Sequence, residues 1–291
     1  MTSLLKGRVA IITGAGRGIG RAIAVAYARE GAHLFLAART ESELEETVAL
    51  CGDLGAVALP VVTDVSDPEQ VQALVATALQ RSGHVDVLVN SAGVYGPIGP
   101  LAENALDAWR QAVAVNLFGP LYLCRALIPH FIERKQGKII LLGGGGATAP
   151  LPCFSAYAAS KAGLARLADT LAAELMDENV QVNVIAPGLV DTKLQDEVLA
   201  AGHKAGSLLY KIAQARESGA GAVSPDVAAE LAVFLASAAS GKLTGKLIAA
   251  PYDPWREWAG RADELNATAL YTIRRLDPFT IKPLISDLER W

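Results

Sequence analysis

The chain has 291 residues, 52% of them hydrophobic and 19% charged, with a formal net charge of −4 at pH 7. A slightly acidic balance has no general attraction for phosphate backbones, and the sequence carries neither a basic stripe nor interleaved aromatics, which argues against a nucleic-acid partner. So much apolar material suits a sheet covered on both faces by helices, and α/β folds of about 250 residues commonly form one domain.

Apolar strand-like runs alternate with helical patterns from end to end. Strands are predicted over 8–13, 33–38, 57–62, 85–90, 138–142, 181–185 and 243–248. Helices are predicted near 18–30, 41–50, 68–81, 106–131, 156–176 and 226–236. The alternation implies right-handed crossovers and a Rossmann-type, doubly wound parallel sheet of seven strands. Ligands in such folds sit at the carboxyl ends of the strands, beside the point where strand order reverses.

The first strand runs straight into Gly14-Ala-Gly-Arg-Gly-Ile-Gly20 and an apolar helix. Glycines let a backbone turn tightly against a pyrophosphate, and the free N–H groups at a helix start attract its charge. Gly14, Gly18, Ile19 and Gly20 are therefore candidate phosphate contacts. The second strand ends Ala37-Ala38-Arg39-Thr40, where an acid would hold the free 2′-hydroxyl of NAD and an arginine the 2′-phosphate of NADP. Arg39 offers a bidentate grip and Arg17 a second guanidinium, so the expected cofactor is NADP(H) rather than NAD(H). Asp64, followed by Val65, reads on its own as a cap for the helix after Pro68 or as a turn residue.

Tyr157 and Lys161 stand four residues apart, the spacing that stacks two side chains on one helix face. A free phenol, with a pKa of about 10, is a poor base near neutrality. A fixed positive charge beside it favours the phenolate, so the pair could exchange a proton with a substrate oxygen. Ser155 reads as the N-cap of that helix, and Cys153 either lines the site or is a buried bystander. The three cysteines, Cys51, Cys124 and Cys153, lack metal-type spacing and imply reduced thiols in a cytoplasmic setting. No run approaches the roughly 20 apolar residues of a membrane span. Residues 190–224, with Ala200-Ala-Gly-His-Lys-Ala-Gly206 and Ser218-Gly-Ala-Gly221, form an irregular stretch that is a mobile lid or a variable surface loop. The tail from 251 to 291 carries Trp255, Trp258, Tyr271, Phe279 and Trp291. Aromatics at that density pack against something: the substrate cleft, a neighbouring subunit or the sheet edge.

The Thr-Gly-x-x-x-Gly-x-Gly loop, Asn90-Ser-Ala-Gly93, Asn116 within Val-Asn-Leu, the Tyr157/Lys161 pair and Pro187-Gly188 occur in that order. Together they closely resemble the short-chain dehydrogenase/reductase family over roughly residues 6 to 250. The resemblance implies a catalytic domain over 1–250 that moves hydride between nicotinamide and a small carbonyl or secondary alcohol. Tyr157 would be its general acid/base. Lys161 would lower the Tyr157 pKa and bind the nicotinamide ribose, and Asn116 would hold a water linking Lys161 to solvent. Asp64 and Val65 would lie by the adenine, and Asn90, Ala92 and Gly93 by the adenosine ribose. Pro187, Gly188, Val190 and Thr192 would lie by the nicotinamide carboxamide. A homodimer or homotetramer, paired through the helices that precede and carry Tyr157, is expected on the same ground.

One member is missing. The family's serine, thirteen residues before the tyrosine, falls on Gly144, inside Gly143-Gly-Gly-Gly146. Losing a donor aimed at developing negative charge costs about 10²–10³ in rate. An anion nest of glycine N–H groups, Thr148, a substrate hydroxyl or a water are the candidate substitutes. The rival readings are an NADP-binding sensor or scaffold with weakened catalysis, and an epimerase or lyase using transient oxidation.

Overall fold

Five consecutive buried residues, Val9–Thr13, make β1. Runs of this kind recur as β2 (His33–Ala38), β4 (Val87–Asn90), β5 (Gly137–Leu142) and β6 (Val180–Ala186), with the more exposed β3 (Ala58–Val62) and the short β7 (Leu247–Ala249) beside them. Unbroken apolar strands need cover on both faces, which is the condition of a parallel sheet. The computed structural model describes residues 3–190, 192–207, 210–211, 213–214, 223–275 and 277–288, with backbone alone at 278, 279, 284 and 286. Its seven strands are parallel in the order β3-β2-β1-β4-β5-β6-β7. Order reverses between β1 and β4, and the register sets Thr13 opposite both Ala37 and Asn90. The glycine loop, the end of β2 and the end of β4 therefore open on one line.

Helices α1 (Gly18–Arg29), α2 (Glu41–Gly52) and α8 (Pro225–Ala236) cover one face, burying Ile23, Ala24, Leu44, Ala228 and Leu231. Small residues let α1 and α8 approach closely, and the buried Tyr27 hydroxyl donates to the Ala232 carbonyl at 2.9 Å. On the other face lie α3 (Pro68–Ser82), α5 (Gly119–Arg134) and α6 (Ser155–Glu174), with Leu74, Leu123, Leu127, Phe131 and Leu164 buried. The start of α3 is set by Asp67, whose carboxylate accepts from the Glu69 and Gln70 N–H groups, and by Pro68 at the first helical position.

Three local features differ from the sequence reading. The helix expected over 106–131 is instead α4 (Leu106–Val113), a π-turn over Ala114–Phe118 containing Asn116, and α5. Pro120 has no N–H to give the carbonyl four residues before it, that of Asn116, which removes a regular helical bond. This continuous run, Leu106–Arg134, matches a membrane span in length and composition, its apolar 18-residue window having a mean hydropathy of 1.4. Its apolar side nevertheless packs inside, through Val115, Leu123, Cys124, Leu127 and Phe131.

The expected strand over 243–248 narrows to β7, because Gly245 takes a φ of +70° and Thr244 donates its N–H to Asn266 Oδ1. The supposedly irregular 190–224 contains α7 (Lys193–Ala201) and a 3₁₀ turn over Gly202–Ala205. Ser218-Gly-Ala-Gly221 lies outside the described residues.

The tail runs along the outer edge of β7. Leu247 donates its N–H to the Tyr271 carbonyl at 2.7 Å, and the buried Lys246 ammonium donates to the Thr268 and Leu270 carbonyls. Trp255 and Trp258 are buried in the same core as α8. The Trp255 indole donates to the Ala250 carbonyl at 2.9 Å, and Trp258 packs on Tyr271 at 4.6 Å. Helix α9 (Ala262–Asn266) lies between Trp258 and Thr268, and α10 (Pro278–Leu288) follows Tyr271. Trp291 and the Phe279 side chain lie outside the described residues.

Candidate active site

A cleft of about 310 Å³ opens at the carboxyl ends of the strands, across the β1/β4 switch point. Its floor is the glycine loop. A Cβ on Gly14, whose φ is +64°, would lie 2.8 Å from the Ala92 backbone, and one on Gly20 would lie 2.2 Å from the Gly14 carbonyl oxygen. Neither position admits a side chain, so loop, helix start and the segment after β4 are in direct backbone contact. The loop is held from behind: Arg21 Nε donates to the Gly16 carbonyl and the Thr47 hydroxyl to that of Ala15, each at 2.9 Å. No side chain caps α1 and no acid stands in its first turn, leaving the first N–H groups at Gly18, Ile19 and Gly20 beside the cleft.

At the far end the walls are Ala38, Arg39, Thr40, Glu43, Asp64 and Val65. Arg39 is exposed. Arg17 is not free as the sequence suggests, because its guanidinium pairs with Glu43 at 3.2 Å, and Lys193 from α7 reaches the same carboxylate oxygen at 3.2 Å. Burial works to raise the Glu43 carboxyl, but the Lys193 and Arg17 cations hold it below the ordinary carboxylate range. Glu43 was missed by sequence reasoning. Its signal was its place in the first turn of α2, directly after the strand end that carries Arg39. Asp64 sits in a turn, accepting from the Ser66 N–H at 2.9 Å and the Ser66 hydroxyl at 2.7 Å; the cap of α3 is Asp67.

Asn90 is not on the cleft wall. It is buried in the sheet, and neither side-chain atom has a hydrogen-bond partner among the described residues. Ala92 and Gly93, one turn of chain further on, do line the cleft, tethered by Thr13, whose hydroxyl accepts from the Ser91 and Ala92 N–H groups.

The near end brings Tyr157, Lys161, Tyr95, Leu142 and Gly143 together. Lys161 Nζ lies 5.7 Å from the Tyr157 ring centre and donates to the Leu142 carbonyl at 2.7 Å. Burial pulls the Lys161 ammonium down to about 8. The expectation that Lys161 depresses the Tyr157 pKa does not hold here: burial first, and then charge on Tyr95, push the phenol well above its ordinary value. The physical reason is that the lysine is itself desolvated and turned to a carbonyl, while the phenol is packed edge-on against Tyr95 at 4.9 Å.

Asn116 is fully buried, and its side chain is fully engaged. Oδ1 accepts from the Val94 N–H at 2.9 Å, and Nδ2 donates to the Val94 carbonyl at 2.8 Å and to the Ser160 hydroxyl at 3.0 Å.

Gly144 has a specific neighbour. A Cβ there would fall 2.1 Å from Tyr157 Oη and 2.9 Å from Cζ, so the phenol occupies the space that a side chain at 144 would need. The proposed nest does not form, because nests need alternating backbone handedness. Gly144 is extended at φ 176°, and none of Gly143, Gly145 and Gly146 has positive φ. Thr148 is exposed and off the cleft wall. Ser155 is not the N-cap of α6, a place held by Phe154; its hydroxyl instead accepts from the Trp109 indole at 3.1 Å. Cys153 is half-buried, with φ +70°, in a satellite cluster with Phe154, Tyr95 and Leu199.

Pro187, Gly188, Val190 and Thr192 close the roof. Gly188 takes φ +80° against Pro251, Val190 bridges Val223, and the Thr192 methyl lies 3.2 Å from where a Gly18 Cβ would stand.

Comparison with known proteins agrees with this geometry. The short chain dehydrogenase family model matches residues 8–202. A 3beta-hydroxysteroid dehydrogenase 1 of Eggerthella lenta is 38% identical over 198 residues, covering 67% of this chain and 76% of that protein. Among solved structures, an NAD⁺-bound xylitol dehydrogenase superposes with a TM-score of 0.78 at 26% identity, covering 84% of this chain and 98% of its own. A chain from Beutenbergia cavernae, described as an NAD(P)-dependent gluconate 5-dehydrogenase with bound NADP, does so with a TM-score of 0.76 at 34% identity, covering 86% and 97%. The chain belongs to the short-chain dehydrogenase family: it is an oxidoreductase of the alcohol/carbonyl type with a nicotinamide-nucleotide fold.

Proposed function

We propose that the protein is an NADP(H)-dependent oxidoreductase acting on a carbonyl/secondary-alcohol pair, with Tyr157 as general acid/base. The observation that carries this reading is that one cleft holds both a glycine cradle no side chain could enter and, at its other end, the Tyr157 phenol with Lys161 beside it. When bound, the cofactor supplies or accepts the hydride. The cradle at Gly14, Gly18, Ile19 and Gly20 fits a pyrophosphate, and Arg39 with Arg17 fits a 2′-phosphate once Arg17 exchanges Glu43 for it. Asp64 and Val65 would border the adenine, Ala92 and Gly93 the adenosine ribose, and Pro187, Gly188, Val190 and Thr192 the carboxamide.

A phenol whose pKa is raised stays protonated near neutrality, the state from which Tyr157 gives its proton to the substrate oxygen in reduction. Lys161 then returns a proton to the phenolate. Asn116 would pass protons to Lys161 through a water on its main-chain carbonyl, since its amide is committed elsewhere. Exposed Phe118, stacked on Tyr122 along the π-turn and α5, supports the expected homodimer or homotetramer. The reading takes 1–250 as the catalytic domain, 251–291 as an extension upon it, and a cytoplasmic setting.

The test is Tyr157→Phe assayed by NADPH consumption against a ketone panel. Activity should drop by about 10²–10⁴-fold while NADPH affinity, read by fluorescence, is unchanged. A wild-type rate in that variant would end the proposal. A wild-type protein that binds NADPH yet consumes none would favour the sensor.

A further inference from the structure

We propose that Tyr95 is a second catalytic residue, whose hydroxyl donates to the substrate oxygen the hydrogen bond that Gly144 cannot. The inference rests on Tyr157 being the proton donor. Tyr95 lines the cleft and its ring meets that of Tyr157 edge-on at 4.9 Å, which makes it the hydroxyl on the cleft wall in ring contact with Tyr157. Three contacts fix it there. Phe154 packs edge-on from the other side at 5.1 Å. The Gln195 side-chain amide donates to Tyr95 Oη at 3.3 Å. Asn116 clamps both the N–H and the carbonyl of the preceding residue, Val94.

Because Oη accepts from Gln195, its own proton is directed elsewhere, and both residues border the same cleft. Burial, with the Glu197 charge second, pushes the Tyr95 phenol up to about 12, against the Gln195 bond, so the hydroxyl stays protonated near neutrality and acts as a donor. The Ser155 and Thr148 hydroxyls are off the cleft wall, and that of Ser160 donates to the Tyr157 carbonyl at 2.8 Å.

In the reduction, hydride adds to the carbonyl carbon, the π pair moves to oxygen, and the Tyr157 O–H bond breaks to protonate that oxygen. Tyr95 keeps its proton throughout and stabilises the charge that develops. Gln195 and Asn116 act through it as positioning residues.

The experiment is Tyr95→Phe, which keeps the ring and its packing. With NADPH and a panel of aromatic and aliphatic ketones, kcat should fall about 10²-fold, while KM, NADPH affinity and Tm stay near wild type. Gln195→Leu should cost less, and nothing further in the Tyr95→Phe background. Normal turnover in Tyr95→Phe with an inactive Tyr157→Phe overturns this inference alone; normal turnover in both overturns the proposed function itself. A Tyr95→Phe variant that loses Tm and cofactor affinity together with rate would mark a structural residue and also overturn it.

Discussion

Replacing Gly144 by alanine adds one carbon at the most crowded point of the cleft. The backbone there is extended, at φ 176° and ψ 167°, so alanine brings no backbone strain and its effect is purely steric. The new Cβ would lie 2.1 Å from Tyr157 Oη, against an ordinary carbon–oxygen contact of about 3.3 Å. The phenol must therefore retreat by about 1.2 Å, and Tyr95 is packed against it. A misplacement of about 1 Å at a reacting group costs about 10² in rate. Overpacking of this kind costs about 1–3 kcal/mol of stability. Initial rates of NADPH oxidation with ketones should accordingly drop by about 10²-fold at unchanged NADPH affinity. Gly144→Ser adds the same carbon plus a hydroxyl, so the serine-to-alanine ratio isolates what that hydroxyl is worth here. An alanine variant with the wild-type kcat would show that Tyr157 does not work from the position found, and the steric reasoning would be wrong.

Other outcomes follow from the same geometry. Lys161 carries its proton below about 8 and loses it above, so kcat/KM for reduction should be level at lower pH and decline beyond that value; Lys161→Met should remove the break from the pH profile. Arg39→Ala should weaken NADPH binding by about 10–100-fold, the worth of a charge-assisted contact, and leave NADH nearly unaffected, as fluorescence titration would read. Glu43→Gln should act in the opposite sense, because it frees Arg17 and removes a carboxylate from beside the 2′-phosphate. Trp258→Ala, far from the chemistry but in the core, should cost about 3–5 kcal/mol in denaturant unfolding, with kcat/KM per folded molecule unchanged.

The strand and helix succession was legible in the sequence because each signal is local: unbroken apolar runs, and glycines where the chain must turn against itself. The Tyr157/Lys161 pair was legible for the same reason, since four residues on a helix define a shared face. What lay beyond reach depended on side chains from distant segments meeting. Glu43 neutralises Arg17 only because α2 and the glycine loop converge across the strand ends, so the second guanidinium assigned to NADP is already occupied. Asn90 stands one residue from a cleft-lining segment yet points into the sheet, a difference of strand register that composition does not encode. Asn116 fell inside one expected helix, but only the fold reveals a π-turn and a clamp on Val94. The sequence alone determined a doubly wound nucleotide-binding chain with a phenol and a lysine on one helix, because period and spacing act along the backbone. The tertiary structure alone decided the direction in which burial moves that phenol's acidity, and that its hydroxyl stands where a serine side chain would begin, because desolvation and exclusion arise only when the elements close around the site.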